Sequence, residues 1–294
     1  MKTLVWEPDR PLDLGLCLAR FVRWGYDPVN VVSGGAYYRV AAGSTPYRAQ
    51  ATDDGSIEVA VSEGEEPEAA LEDLRYRMGE PLPFGPVAAL AARDERVAGL
   101  VEDFPGFRPP LVVDPFEMLV SAICAQQLNL RFATTLRRRL VERYGIPHPV
   151  LGATVWEFPS PSRLAQVEGE ELQALQFSSA KARSLIELGR AAVEGALAGL
   201  EELSEEAIVD RVTSLRGVGR WTAEWLMARC LARPDVVAAG DLGVRKAVSF
   251  LYLNEEVLLT EHEVRAVVER WGDAANWTTH LLLERLVRRA GTDS

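Results

Sequence analysis

The stretch Leu215–Ser249, LRGVGRWTAEWLMARCLARPDVVAAGDLGVRKAVS, constrains the fold of this chain more than any other. A helical segment expected over 204–215 runs into Gly217-Val218-Gly219, and a second helical segment starts at once. Two glycines two residues apart let the backbone turn sharply and come close to a partner. The free amides that open the second helix make an anion site, and a DNA phosphate is the natural anion for it. The same spacing also serves a plain helix–turn–helix connection, in which the glycines only turn the chain.

Around that segment the periodicity reads as α+β. After Pro11 a helix is expected from Asp13, which can cap it, to about Trp24, with Leu14, Cys17, Leu18 and Phe21 on one face. Short strand-like runs follow at 36–43, 47–54 and 56–64, each bounded by Gly, Pro, Asp or Ser. A helix from Glu68 to Met78 is expected to pack on the resulting antiparallel sheet. These elements make a small mixed α/β unit over 1–85. Residues 86–112, rich in Pro and Gly at both ends, read as a linker with a short helix around Val87–Leu100. From Asp114 onward nearly everything reads as helix, opened by Asp114-Pro115 and the stripe Phe116, Leu119, Val120, Ile123. Further helices are expected at about 130–144, 161–166, 170–175, 179–196, 204–215, 221–231, 241–253, 261–271 and 277–289. The expected organisation is thus a small antiparallel-sheet/helix domain followed by an all-α body, divided into 113–231 and 232–294.

Composition narrows the function classes. Three cysteines, Cys17, Cys124 and Cys230, lie far apart, and three histidines are scattered, so no zinc or iron–sulfur ligand set is visible. No run of about 18 apolar residues predicts a membrane span, and MKTLVWEPDRPLD lacks the pattern of a signal peptide. A reduced, cytoplasmic, monomeric protein is the expectation. The net charge of −11 argues against a nucleic-acid partner until its distribution is considered. Residues 51–100 hold twelve Asp or Glu against four Arg, whereas 101–150 hold six Arg against five acids. A mildly basic middle permits DNA binding by a local face. Arg137, Arg138 and Arg139 read either as a solvated helix face or as phosphate contacts.

Leu215-x-Gly217-Val218-Gly219-x-x-Thr222-Ala223, with Asp241 about twenty residues on in Ala239-Gly240-Asp241-Leu242, resembles the hairpin and aspartate of the helix–hairpin–helix base-excision DNA glycosylase superfamily. Asp114-Pro115-Phe116-Glu117 through Ala125-Gln126-Gln127 to Tyr144-Gly145 resembles the helix pair that opens the family's helical domain. Phe158-Pro159-Ser160-Pro161 with Leu164, and Leu175 through Lys181-Ala182, resemble its next segment. Pro11-Leu12-Asp13 and Tyr37-Tyr38-Arg39 resemble the α/β domain of one branch, the bacterial 3-methyladenine DNA glycosylase II.

The resemblance implies a monofunctional enzyme that hydrolyses the N-glycosidic bond of alkylated bases flipped out of double-stranded DNA. Asp241 would be its catalytic carboxylate, stabilising positive charge on the sugar and orienting water. At a helix start Asp241 also reads as an N-cap, and the two roles are compatible. Members that also cut the backbone carry a lysine where this sequence has Trp221; Lys246 is five residues past Asp241 and more than a turn away. Trp221, Trp225 and Trp277 are implied as walls of a base pocket, with core packing as the plainer alternative. Leu242, where the branch has tyrosine, and Arg20, where it offers phenylalanine, predict a less aromatic pocket and a substrate range beyond 3-methyladenine. Gly217, Val218, Gly219 and Thr222 would meet DNA, and Gln127 or Leu128 would fill the gap left by the flipped base, Leu128 being equally suited to a core. No cofactor is implied beyond a cation at the hairpin carbonyls, which no side-chain motif marks. Two rivals stand beside this reading, a bifunctional oxidised-base glycosylase and a non-catalytic DNA-binding module.

Overall fold

A computed structural model describes residues 1–253 and 257–292. The expected 232–294 unit therefore includes 254–256 and 293–294, which lie outside the described residues. The N-terminal part is a five-stranded antiparallel sheet built from β1 (Lys2–Trp6), β2 (Val31–Ser33), β3 (Ala36–Ala41), β4 (Thr45–Ala51) and β5 (Ile57–Val61), in the order β1-β5-β4-β3-β2. Helix α1 (Leu14–Arg23) follows β1 and starts where the Asp13 carboxylate accepts the Leu16 amide at 2.8 Å. Helix α2 (Pro67–Arg77) packs on the sheet. The edge strands β1 and β2 are additions to the three strands that patterning predicts.

Every residue of β3 is buried, because both faces of the strand are covered. Tyr37 and Ala41 join the main core. Ala36, Tyr38 and Val40 face a second, smaller core completed by Val150 and Val155. Those two valines belong to a hairpin, β6 (Ile146–Val150) and β7 (Ala153–Glu157), placed within the region expected to be all helix. Pro147 and Pro149 hide it, since proline argues against a strand. They share one parity, however, so Ile146, His148 and Val150 carry the donors toward β7 while the proline nitrogens sit on the other edge. The hairpin is anchored to the N-terminal part by the Trp156 amide, which donates to Pro28 O at 2.8 Å.

Residues 86–112 depart from a linker with one helix. They form α3 (Gly85–Ala91) and α4 (Glu95–Asp103), broken at Asp94. The Asp94 carboxylate caps α4 through the Arg96 amide at 2.9 Å and accepts the Tyr252 hydroxyl at 2.9 Å, so the break is fixed from both sides. The extended stretch beyond α4 is buried, with the Leu111 amide donating to Arg77 O and the Val112 amide to Arg229 O.

The helical body comprises α5 (Pro115–Ala125), α6 (Leu130–Tyr144), α7 (Pro161–Ala165), α8 (Gly169–Ala174), α9 (Ser179–Val193), α10 (Glu205–Thr213), α11 (Arg220–Arg229), α12 (Leu242–Leu253), α13 (Glu261–Val268) and α14 (Ala275–Thr292). Their starts are set by side-chain caps at Asp114, Asn129, Ser160, Ser178, Ser204 and Thr260. One apolar core runs from the sheet to α14. Among the described residues no helix is long and apolar enough to cross a membrane.

Candidate active site

The site is assembled around α11. Helix α10 ends at Thr213, the chain turns through Gly217, and Gly219 opens α11. Gly217 has φ +77°, and a Cβ there would run into the Ser184 side chain of α9. Conformation and space both demand glycine. Val218 is buried, whereas Gly217 and Gly219 are exposed. Thr222 is buried and accepts a hydrogen bond from Gln126 Nε2 at 3.3 Å; the same amide donates to Gly217 O at 2.7 Å. Gln126 thereby ties the loop after α5 to the hairpin, a role that sequence reasoning missed.

Within that loop Gln127 is exposed and left-handed, with φ +56°, whereas Leu128 is half-buried against the core. Lys181 stabilises the loop from beneath by donating to Ile123 O, Cys124 O and Gln126 O at 2.5, 2.9 and 2.9 Å. The arginines of α6 are not a free basic face. Arg137 is turned inward to Asp27, Glu117 and Ser121, and Arg139 meets Gln176. Arg138 stands 3.9 Å from Glu142.

Trp221 and Trp225 stand one turn apart on α11, and both indoles aim at one carboxylate. Trp221 Nε1 donates to Asp241 Oδ2 at 2.9 Å, and Trp225 Nε1 donates to the same oxygen at 3.3 Å. Asp241 Oδ1 accepts the Val244 amide at 3.1 Å, capping α12. Gly243 keeps that arrangement open: a Cβ there would lie 3.1 Å from Asp241 Oδ1 and 3.4 Å from Leu283. An ionised carboxylate has about four acceptor positions. Three are occupied by protein donors, which fixes the orientation of the group.

The other implied pocket residues are dispersed around this centre. Leu242 is the first residue of α12 and is 54% exposed. Trp277 is 2% exposed in α14 and packs with Phe84 at a 5.2 Å centroid distance, with the Arg10 guanidinium 5.1 Å from its own ring. Its contacts are those of a core tryptophan, because α3 delivers Phe84 onto it. Arg20, on α1, donates to Pro110 O at 3.3 Å. Burial lowers its pKa to about 10, partly opposed by Glu284. One turn beyond Trp225, Arg229 lies over the Trp225 ring with its guanidinium carbon 3.6 Å from the centroid, and Nε donates to His280 Nε2 at 3.4 Å. Neither Arg229 nor His280 is singled out by the sequence. The available signal was the spacing Trp221, Trp225, Arg229, which continues one helix face.

The profile of the HhH-GPD superfamily base excision DNA repair proteins matches residues 120–273, just over half of the chain. The chain belongs to this superfamily. Among its relatives, DNA-3-methyladenine glycosylase 1 of Schizosaccharomyces pombe is 30% identical over 171 residues, covering 55% of this chain and 70% of that protein. DNA-3-methyladenine glycosylase 2 of Escherichia coli is 30% identical over 184 residues, covering 61% and 59%. The solved structure of a 3-methyladenine DNA-glycosylase from Archaeoglobus fulgidus superposes with a TM-score of 0.85 at 28% identity, covering 97% of this chain and 99% of that one. The chain spans about half to seven tenths of the length of the first curated relatives it matches. Residues 215–223 and Asp241 both lie within the matched stretch 120–273.

Proposed function

We propose that this HhH-GPD protein is a monofunctional DNA glycosylase that hydrolyses the N-glycosidic bond of alkylated bases flipped out of double-stranded DNA. The observation that carries the reading is the Asp241 carboxylate, held by two indole N–H groups and a helix-terminal amide beside the hairpin. The likeness to proteins named for 3-methyladenine supports the substrate class. As the bond from C1′ to the base nitrogen breaks, positive charge grows on the sugar. A carboxylate fixed before the reaction stabilises that charge without having to reorganise. It also orients the attacking water, whose oxygen bonds to C1′ and leaves an abasic site. The position that would carry a Schiff-base lysine holds Trp221, and the Lys181 amine is engaged by three carbonyls. Neither of these positions offers a free amine, and the proposed reaction takes no lyase step.

The hairpin amides and the loop Gln127–Leu128 are the elements that would meet the phosphate backbone and the vacated stack. At the hairpin, Leu215 O and Gly217 O already accept the Val218 amide at 3.1 Å and the Gln126 amide at 2.7 Å. A cation there would share these oxygens as a structural element, and no step uses it. The test is release of free bases from randomly methylated DNA by wild type and Asp241→Asn. Release by wild type with at least a hundredfold loss in the variant is expected, on the scale of about 3 kcal/mol of lost transition-state stabilisation. Equal release by both would remove Asp241 from the chemistry. DNA binding without release would favour a non-catalytic module.

A further inference from the structure

Helix α9 carries a cation where its own dipole disfavours one. Lys181 lies in the first turn, its amide donating to the capping Ser178 hydroxyl at 3.2 Å, and a positive charge there opposes the helix dipole. The ammonium is directed instead at the C-terminal end of α5. An ammonium has three N–H donors, and carbonyls take all of them: Ile123 O, Cys124 O and Gln126 O, at 2.5, 2.9 and 2.9 Å.

The last four carbonyls of α5, which a helix ordinarily leaves open, are thereby all answered. Ala122 O accepts the Gln126 amide at 3.1 Å and Ala125 O accepts the Leu128 amide at 3.3 Å, while Lys181 meets the two between them. The common closure of a helix end is a glycine in the left-handed region just past it. Here the left-handed residue is Gln127, at φ +56°, and its side chain is exposed. A non-glycine residue keeps that conformation only where its surroundings impose it. Lys181 imposes it by fixing the carbonyl of the preceding residue.

The same face of α9 also sets the hairpin. Ser184, three residues past Lys181 and so beside it on the helix, is what a Cβ at Gly217 would strike. Gln126 joins the two loops by donating to Gly217 O at 2.7 Å and to Thr222 Oγ1 at 3.3 Å. Two loops distant in sequence are thus referenced to neighbouring side chains of one helix.

We propose that Lys181 is a positioning residue for base flipping: it holds the loop 126–128 in the shape that presents Gln127 to the vacated stack, at a spacing from the hairpin that α9 fixes. The inference rests on the glycosylase reading above, which takes this loop into the duplex. Lys181 would touch neither base nor sugar and would act through the carbonyls behind the loop. Extruding a nucleotide means unstacking and unpairing it, and a loop already shaped for the gap does not have to be ordered at that moment. Methionine is similar in length to lysine and has no donor, so Lys181→Met leaves three carbonyls unanswered and frees Gln127 to return to the ordinary backbone regions. Arginine keeps the charge and several donors.

The experiment follows two DNAs: a duplex with an abasic-site analogue beside 2-aminopurine, whose fluorescence rises when stacking is broken, and a randomly methylated duplex. Full-length wild type, Lys181→Met, Lys181→Arg and Lys181→Gln are compared at saturating protein, so that weaker binding does not register. Wild type is expected to raise the fluorescence several-fold. Lys181→Met should give less than a third of that rise and release bases at least tenfold more slowly in single turnovers, and Lys181→Arg should recover most of both. A Lys181→Met protein that melts like wild type and gives the full rise would overturn the proposal, whatever its release rate. If Lys181→Met does not fold, Lys181→Gln, which keeps two of the donors, decides by the same readouts with a smaller loss expected. A rise that Lys181→Met loses, with no base released by any of the proteins, would end the glycosylase reading and leave the role of Lys181 standing. Base release with no rise even in wild type would do the reverse.

Discussion

Asp241 divides two tasks between its two oxygens. Oδ1 caps α12, and Oδ2 collects the two indole N–H groups. Asparagine caps a helix about as well as aspartate, so Asp241→Asn removes charge at the site while sparing the helix start. His280 offers a second residue-scale test, through stability. Its unfolded pKa is near 6.5, and in the folded protein burial, followed by the Arg229 charge, holds it well below that. As pH falls the unfolded chain binds the proton first, so stability is complete above about 6.5 and drains below it. The urea midpoint is expected to fall between pH 7 and pH 5, with a slope of up to about 1.4 kcal/mol per pH unit from this group. His280→Asn should flatten that part of the profile; an unchanged profile would show that the imidazole does not titrate as the structure requires.

The hairpin between α10 and α11 is the element most exposed to single substitutions. Gly217→Ala forces a non-glycine residue to φ +77° against Ser184. A loss of about 1–3 kcal/mol is expected for the strained backbone alone, read in a chemical melt, together with weakened binding to abasic-site DNA. The added change Ser184→Gly should recover only the steric share. Helices such as α5, α6, α9 and α10 were legible because their starts carry hydrogen-bonding caps and their faces repeat at helical spacing; the expected 130–144 and the observed Leu130–Tyr144 coincide. The hairpin β6–β7 was not legible, because prolines at two of five positions mimic a loop, and its burial depends on a sheet more than a hundred residues away. The break at Asp94 was missed because its second bond comes from Tyr252. At the site, the hairpin and Asp241 were marked by resemblance to a family motif, since their spacing alone also fits a plain turn and a plain N-cap. Arg229, His280 and Gln126 acquire their roles only from partners distant in sequence, so no local pattern could announce them.

For the molecule as a whole, one buried charge network joins the sheet to the helices. Arg39 of β3 pairs with Glu117 of α5, both side chains 4% exposed, and Glu117 also pairs with Arg137 of α6 at 2.7 Å. Arg137 in turn pairs with Asp27, beyond α1. Burial alone would raise the Glu117 pKa, but the charges of Arg39, Arg137 and Arg77 outweigh it and hold the group at about 2. Its contribution to stability is therefore present above about 4.5 and lost as pH falls toward 2. Glu117→Gln leaves two guanidiniums without their shared anion and should cost about 3–5 kcal/mol, measured by equilibrium denaturation at neutral pH. A change below about 1 kcal/mol would mean that solvent reaches the network.

The cover that β6–β7 lays over β3 also decides how the polypeptide can be cut. Severed near residue 85, the first fragment would bare Tyr38 and Val40, and the second would bare Val150 and Val155. Each half would carry a sticky greasy strip that only the other half can hide. The apparent seam in the sequence is therefore a poor place for scissors: trimmed pieces should precipitate where the intact chain stays in solution.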